Sequence, residues 1–188
     1  MGREDLVTGE SLPLFFYEQI EAAQEQRGET LPPEVAAYVV NLLAAFTLQT
    51  AAAGRTSPPF AIQYLQAQDQ GPTALRAVGD RALFVAGVVP HSLDRSPVNV
   101  GYVRTIGEDA YRGVYARVRN LVVFEELANH FGQVLDVLGD LAAAHGGQSV
   151  ATLLNLYGRW REHGSKDDAQ RLRKAGVRLD QTAKKVLH

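Results

Sequence analysis

Two places in this chain combine residue types with a spacing that could do chemistry. Glu126 and His130 stand four residues apart, so on a helix their side chains lie one turn above each other. There a carboxylate can fix an imidazole tautomer for proton transfer, or the pair can share a metal. The same spacing also describes an ordinary contact at the flank of an apolar stripe, and that structural role is the expectation for His130 in mid-helix. Asp80 is the second place. It interrupts the apolar run Gly79-Asp80-Arg81-Ala82-Leu83-Phe84-Val85-Ala86-Gly87, where a carboxylate needs hydrogen-bond donors or its pKa rises. Tyr102, Tyr111, Arg104 and Arg112 are the expected donors. With them Asp80 is either a bolt between packed helices or a reactive group.

If the chain holds a small apolar ligand, Phe84, Tyr102, Tyr111 and Phe131 would line its site. Asp80 or His130 would then supply the polar contact. The candidate ligand-binding residues are therefore Asp80, Phe84, Tyr102, Tyr111 and His130. No catalytic residue and no metal ligand is assigned, and no cofactor is expected.

Other chemistries lack their residues. The chain has no cysteine, which excludes disulfides, thiolate metal sites, cysteine nucleophiles and iron–sulfur clusters. Neither a phosphate-binding glycine loop nor a G-x-S-x-G elbow occurs. The Glu-x-x-His spacing of carboxylate-bridged metal bundles is also missing. His145 and His163 each precede a glycine in a closing turn, where a partly positive ring complements the helix dipole.

The elements that must position Asp80 and His130 are helices. Among 188 residues there are 25 Ala, 22 Leu and 15 Arg but only 3 Ile, which favours helix, and no strand–turn–strand signal appears. The length fits one domain with a sizeable core. Punctuation predicts one helix from Ser11 to Arg27 before Gly28, and a second opened by Pro32-Pro33-Glu34 and running to Ala53 before Gly54. A third follows Ser57-Pro58-Pro59 to Gln68, and a fourth spans Thr73 to Val89. The second helix reads as buried on two sides, with Ala37, Asn41, Ala44 and Ala45 on its small face. The fourth, apolar all round, reads as interior. Tyr102 to Val118 sets a fifth helix that could run on into a sixth with Phe124, Leu127, Phe131, Val134, Leu135, Leu138 and Leu141 inside. Ser149 opens a seventh, and Ser165-Lys166-Asp167-Asp168 caps a short basic helix through Lys174. The expectation is an all-α bundle of seven or eight helices. Residues 1–164 form the bundle, and residues 165–188 form a basic helical segment packed on it or extending from it.

Residues 35–54 carry no charge, the length of a membrane span. Polar Asn41, Thr47, Gln49 and Thr50 favour a core helix instead, and with no signal peptide the expected location is cytoplasmic.

Charge is polarised. Residues 1–34 carry two Arg against eight acids, while residues 159–188 carry nine Lys or Arg against four acids. The overall −2 makes nucleic-acid binding an unfavoured reading. Either the two ends lie side by side, or they simply form solvated faces, or the basic end docks an anionic partner through Arg171, Arg173, Lys174, Lys184 and Lys185.

Several stretches resemble a family of uncharacterised bacterial all-helical proteins. They are Phe15-Phe16-Tyr17-Glu18, Tyr38-Val39-Val40-Asn41-Leu42-Leu43, the Gly79–Gly87 run, Tyr102 with Gly107-x-x-Ala110-Tyr111, and Leu156-Tyr157-Gly158-Arg159-Trp160. The resemblance implies one helical domain and a bacterial origin, brings no activity, and marks Asn41 and Asp80 as polar positions within apolar motifs. The leading expectation is a non-enzymatic scaffold or adaptor that binds another protein or itself, as a homodimer for example. The alternative is a bundle holding a small apolar ligand or cofactor, with catalysis at Asp80 or His130.

Overall fold

The computed structural model describes residues 11–46, 58–93, 99–144 and 150–179, and among them every regular element is helical. In chain order these are α1 (Ser11–Arg27), α2 (Pro33–Phe46), α3 (Phe60–Gln70), α4 (Pro72–Val88), a 3-10 turn (Pro90–Leu93), α5 (Val100–Arg117), α6 (Val123–Asn129), α7 (Phe131–Ala144), α8 (Val150–His163) and α9 (Lys166–Lys174). The all-α class follows from the sequence. Among the described residues there are nine α-helices, above the expected seven or eight, because the pattern from Phe124 to Leu141 divides at His130. That residue has φ −102° and ψ 11°, and its ring Nδ1 lies 2.9 Å from the Glu126 carbonyl, which also accepts its N–H. The helix bends there rather than ending, since Val134 N–H still donates to the His130 carbonyl.

Glycines close the helices where left-handed backbone is needed. At the end of α1, Gly28 (φ +66°) donates to Glu25 and Glu29 donates to Gln24, a Schellman closure. The end of α9 repeats it: Gly176 (φ +91°) donates to Arg173 and Val177 to Leu172, with both Leu172 and Val177 buried. Asn99 Oδ1 caps α5 by accepting from the Tyr102 N–H at 2.8 Å.

α4 is the central helix, as its all-round apolar pattern requires. Leu75, Val78, Ala82, Leu83, Phe84, Ala86 and Val88 are buried on it, and it packs on α3, α5 and α7. Its tightest partner is α5. A Cβ at Gly107 of α5 would stand 2.9 Å from the Ala82 Cβ and 2.5 Å from the Phe131 ring, so only glycine admits this approach. α1 lies on α2 and α7, with Phe16 and Ile20 buried on it. Full burial of such a side chain contributes about 1.5–3 kcal/mol. The ion pairs of Arg27 with Asp140 (2.9 Å) and Asp136 (3.2 Å) orient the same contact from the surface, where pairs contribute about 0–1 kcal/mol. Burial therefore holds α1 in place. Leu172 and Val177 join the same core, so the end of α9 is packed on the bundle.

The expectation that α2 is buried on two sides is not met: Ala37, Asn41 and Ala45 are exposed. Small side chains permitted a close neighbour there without supplying apolar area to hold one. No helix among the described residues is long and apolar enough to cross a membrane. Positions 47–54 of the uncharged stretch, with Ser57, His145, Ser149, Lys184 and Lys185, lie outside the described residues.

Candidate functional site

The densest polar arrangement within the helix packing is centred on Asp80. Its position on α4 turns it toward α2 and α5, and 17% of its side chain remains exposed. Tyr38 of α2 donates from its hydroxyl to Asp80 Oδ1 at 2.6 Å, and Tyr111 of α5 donates to the same oxygen at 2.9 Å. Arg76, one turn earlier on α4, donates from Nε to the Tyr38 hydroxyl at 2.9 Å and stands 3.5 Å from Asp80 Oδ2. The result is a relay from Arg76 through Tyr38 to Asp80, met from the other side by Tyr111.

Local structure explains how Tyr111 arrives. A Cβ at Gly79 would fall 2.5 Å from Tyr111 Cε1, so the ring approaches the bare backbone of α4 beside Asp80. Tyr111 is fully buried, and a buried phenol needs an acceptor, which Asp80 provides. Around the relay, Phe124 of α6 meets Tyr38 edge-on at 5.5 Å and Tyr111 at 5.7 Å, and Phe131 lies 6.0 Å from Tyr111. The Arg76 guanidinium covers the outer side, 5.3 Å from the Tyr38 ring and 5.8 Å from that of Phe124.

The electrostatics follow from burial. Desolvation raises the Asp80 carboxyl above its usual range, and the bonds from Tyr38 and Tyr111 and the charge of Arg76 pull it back in part. Tyr38 and Tyr111 are both pushed far up, first by burial and then by the neighbouring carboxylate, so they remain protonated donors. Chemically this is an acceptor served by internal donors. Asp80 Oδ1 receives two hydroxyls and Oδ2 faces a cation, and no buried side-chain nitrogen or oxygen among the described residues lacks a partner.

Of the residues singled out from sequence, the structure joins Asp80 to Tyr111. Phe84 lies one turn further along α4, buried and stacked on Phe46 with ring centroids 4.1 Å apart. Tyr102 is 42% exposed in the first turn of α5. It precedes Tyr111 by nine residues, about 13 Å along the axis, too far to share its acceptor. Arg104 and Arg112 do not reach Asp80 either. They turn to Glu108 (2.6 and 3.7 Å), and Arg112 also to Asp109 (3.2 Å). His130 sits at the bend between α6 and α7, with Nδ1 3.3 Å from Glu126 Oε2, a local contact. No group of three or more metal-ligating side chains occurs among the described residues. Arg171, Arg173 and Lys174 are exposed on the last turn of α9.

Sequence reasoning missed Tyr38 and Arg76. Arg76 carried a usable signal, because it precedes Asp80 by four residues on one helix. Tyr38 opens the Tyr38–Leu43 motif, whose polar position within the apolar run is Asn41, and Asn41 faces outward. No family model, curated protein or solved structure matches this chain, so the resemblance to bacterial helical proteins rests on its motifs alone.

Proposed function

We propose that this protein is a helical scaffold or adaptor that acts by binding another protein, itself included, without catalysis. The observation that carries this reading is the pairing of exposed large apolar side chains at helical spacing. Leu14 and Tyr17 on α1, and Ile62 and Leu65 on α3, stand three residues apart and face outward, Leu65 with 64% of its surface free. Such pairs are what a partner helix or surface uses as anchors. The Asp80 relay, by contrast, directs its hydrogen bonds inward and ties α2, α4 and α5 together. That supports a rigid frame on which the outer faces are displayed.

The test is sedimentation of the purified chain over a wide concentration range, together with capture from a native lysate. The reading expects either association that grows with concentration or a specific protein partner. A monomer at every concentration that captures nothing would overturn it.

A second reading is favoured by one observation, the solvent-facing edge of the relay at Arg76 and Asp80. There the bundle would hold a small ligand or cofactor, with catalysis at Asp80 or His130. Native mass spectrometry and an absorption spectrum separate the two, since a retained mass or a visible band supports the ligand reading.

A further inference from the structure

The polarised charge noted in the sequence acquires a location. On α1 the residues opposite the core, Leu14, Glu18, Glu21 and Glu25, fall on one outward stripe with Tyr17 at its edge, and all are exposed. Leu14 and Tyr17 supply the apolar part of that stripe, and the three glutamates supply its charge. At the other end of the chain, Arg171 and Lys174 share one face of α9 three residues apart and are exposed, as are Arg173 and Arg178.

The chain leaving the basic turn of α9 runs onto α1 beside the acidic stripe. Just past α9 the backbone at Gly176 runs against Phe15 of α1, where a Cβ would lie 3.7 Å from the ring. Two residues on, Arg178 Nη2 stands 3.7 Å from Glu18 Oε1. Among the described residues this is the one ion pair between α1 and the segment from α9 onward. Glu21, which accepts a hydrogen bond from the Tyr17 hydroxyl, and Glu25, and on the other side Arg171, Arg173 and Lys174, make no ion pair with any described residue.

Adjacent patches of opposite sign on one surface are self-complementary. Turned about a two-fold axis, the acidic stripe of one copy meets the basic turn of the other, and the same pairing forms twice. From this juxtaposition we infer that the α1–α9 face is a dimerisation surface whose occupant is a second copy of this chain. Leu14 and Tyr17 lie within it as apolar anchors, and reciprocal glutamate–arginine and glutamate–lysine pairs set its register. A nucleic acid is disfavoured because the glutamate stripe beside the basic turn repels phosphate. An acidic foreign protein would use the basic turn and leave the α1 stripe uncovered.

The inference rests on the interaction reading above and is tested separately from it. Analytical ultracentrifugation of the full chain is expected to show a monomer–dimer equilibrium that weakens as salt rises. Glu21→Lys with Glu25→Lys, and separately Arg171→Glu with Lys174→Glu, should each raise the dimer Kd by about tenfold or more. Mixing these two variants should restore a dimer, because in the mixed pair both charge contacts are again opposite in sign. All four positions are exposed, and circular dichroism confirms that the variants are folded. If they do not fold, the salt dependence of the wild-type equilibrium decides.

A wild-type dimer that ignores salt and both variants would overturn the inference, as would variants that are each weakened but not rescued by mixing. A wild-type monomer at all concentrations would overturn it as well. If that monomer still binds a different protein, the interaction reading stands; if it binds nothing, both fall.

Discussion

Two carboxylates, Asp80 on α4 and Asp168 on α9, lie within the helix packing and draw their partners from different distances along the chain. Asp168 keeps 12% of its side chain exposed. It pairs with Arg159, nine residues earlier, at 2.8 Å, while its backbone N–H donates to Ser165 Oγ at 3.3 Å. Asp80 is served by hydroxyls 42 and 31 residues away. The first arrangement is complete once the α8–α9 turn has formed. The second exists only after α2, α4 and α5 have packed, so it reports on the assembly of the bundle and the first only on a corner of it.

Placing a side chain at Gly79 is the sharpest way to break this contrast. Gly79→Val would drive a branched side chain into the Tyr111 ring, 2.5 Å from its first carbon, and is expected to cost about 3 kcal/mol in urea unfolding. A loss near zero would mean that Tyr111 can reach Asp80 along another path. Next comes Tyr111→Phe, which removes a buried hydrogen bond to a charged acceptor and should cost about 2 kcal/mol.

The same region should respond to pH. Burial raises the Asp80 carboxyl above its ordinary 3.8, so the folded state holds a proton where the unfolded chain has already lost it. The stability from this group therefore falls as pH rises from 3.8 through the raised folded value. The stability of wild type minus that of Asp80→Asn, which does not titrate, is expected to be greater at the acid end of that window than at neutral pH. Chemical unfolding of both proteins across the window measures it. A difference that grows with pH would show that Tyr38, Tyr111 and Arg76 outweigh burial.

The Asp168 corner should be milder. Ser165→Ala removes the cap of α9 and is expected to cost about 1 kcal/mol, read as a lowered urea midpoint with unchanged slope. Smallest is Arg159→Ala. Its side chain is 55% exposed, so the loss should stay below about 1 kcal/mol and shrink further in high salt. An Arg159 effect equal to that of Tyr111 would remove the distinction between the two carboxylates.

Helix ends were legible because their causes are local. Gly28 after Arg27, and Ser165 with Asp168 opening α9, appear where the residue types place them. The Asp80 site was legible in part. A carboxylate in an apolar run announces that it needs donors, and Tyr111 was among those named. The wrong partners, Tyr102, Arg104 and Arg112, were equally reasonable by type. What separates them from Tyr38 is the order in which helices pack and the rotation of each about its axis. The bend at His130 was hidden for a related reason, because Phe124 to Leu141 keeps one apolar period through it.

The sequence by itself determined that this chain is helical, where most of its helices begin and end, that α4 is central, and that charge is divided between its ends. These depend on neighbours within a few residues, on capping, backbone freedom and the 3.6-residue period. Only the tertiary structure decided which tyrosines reach Asp80, that α2 leaves Asn41 outside, and that the segment after α9 brings Arg178 to Glu18 of the acidic stripe. Each of these depends on which helix faces meet. Many packings bury nearly the same apolar area, and the contacts that choose among them join residues far apart in the chain.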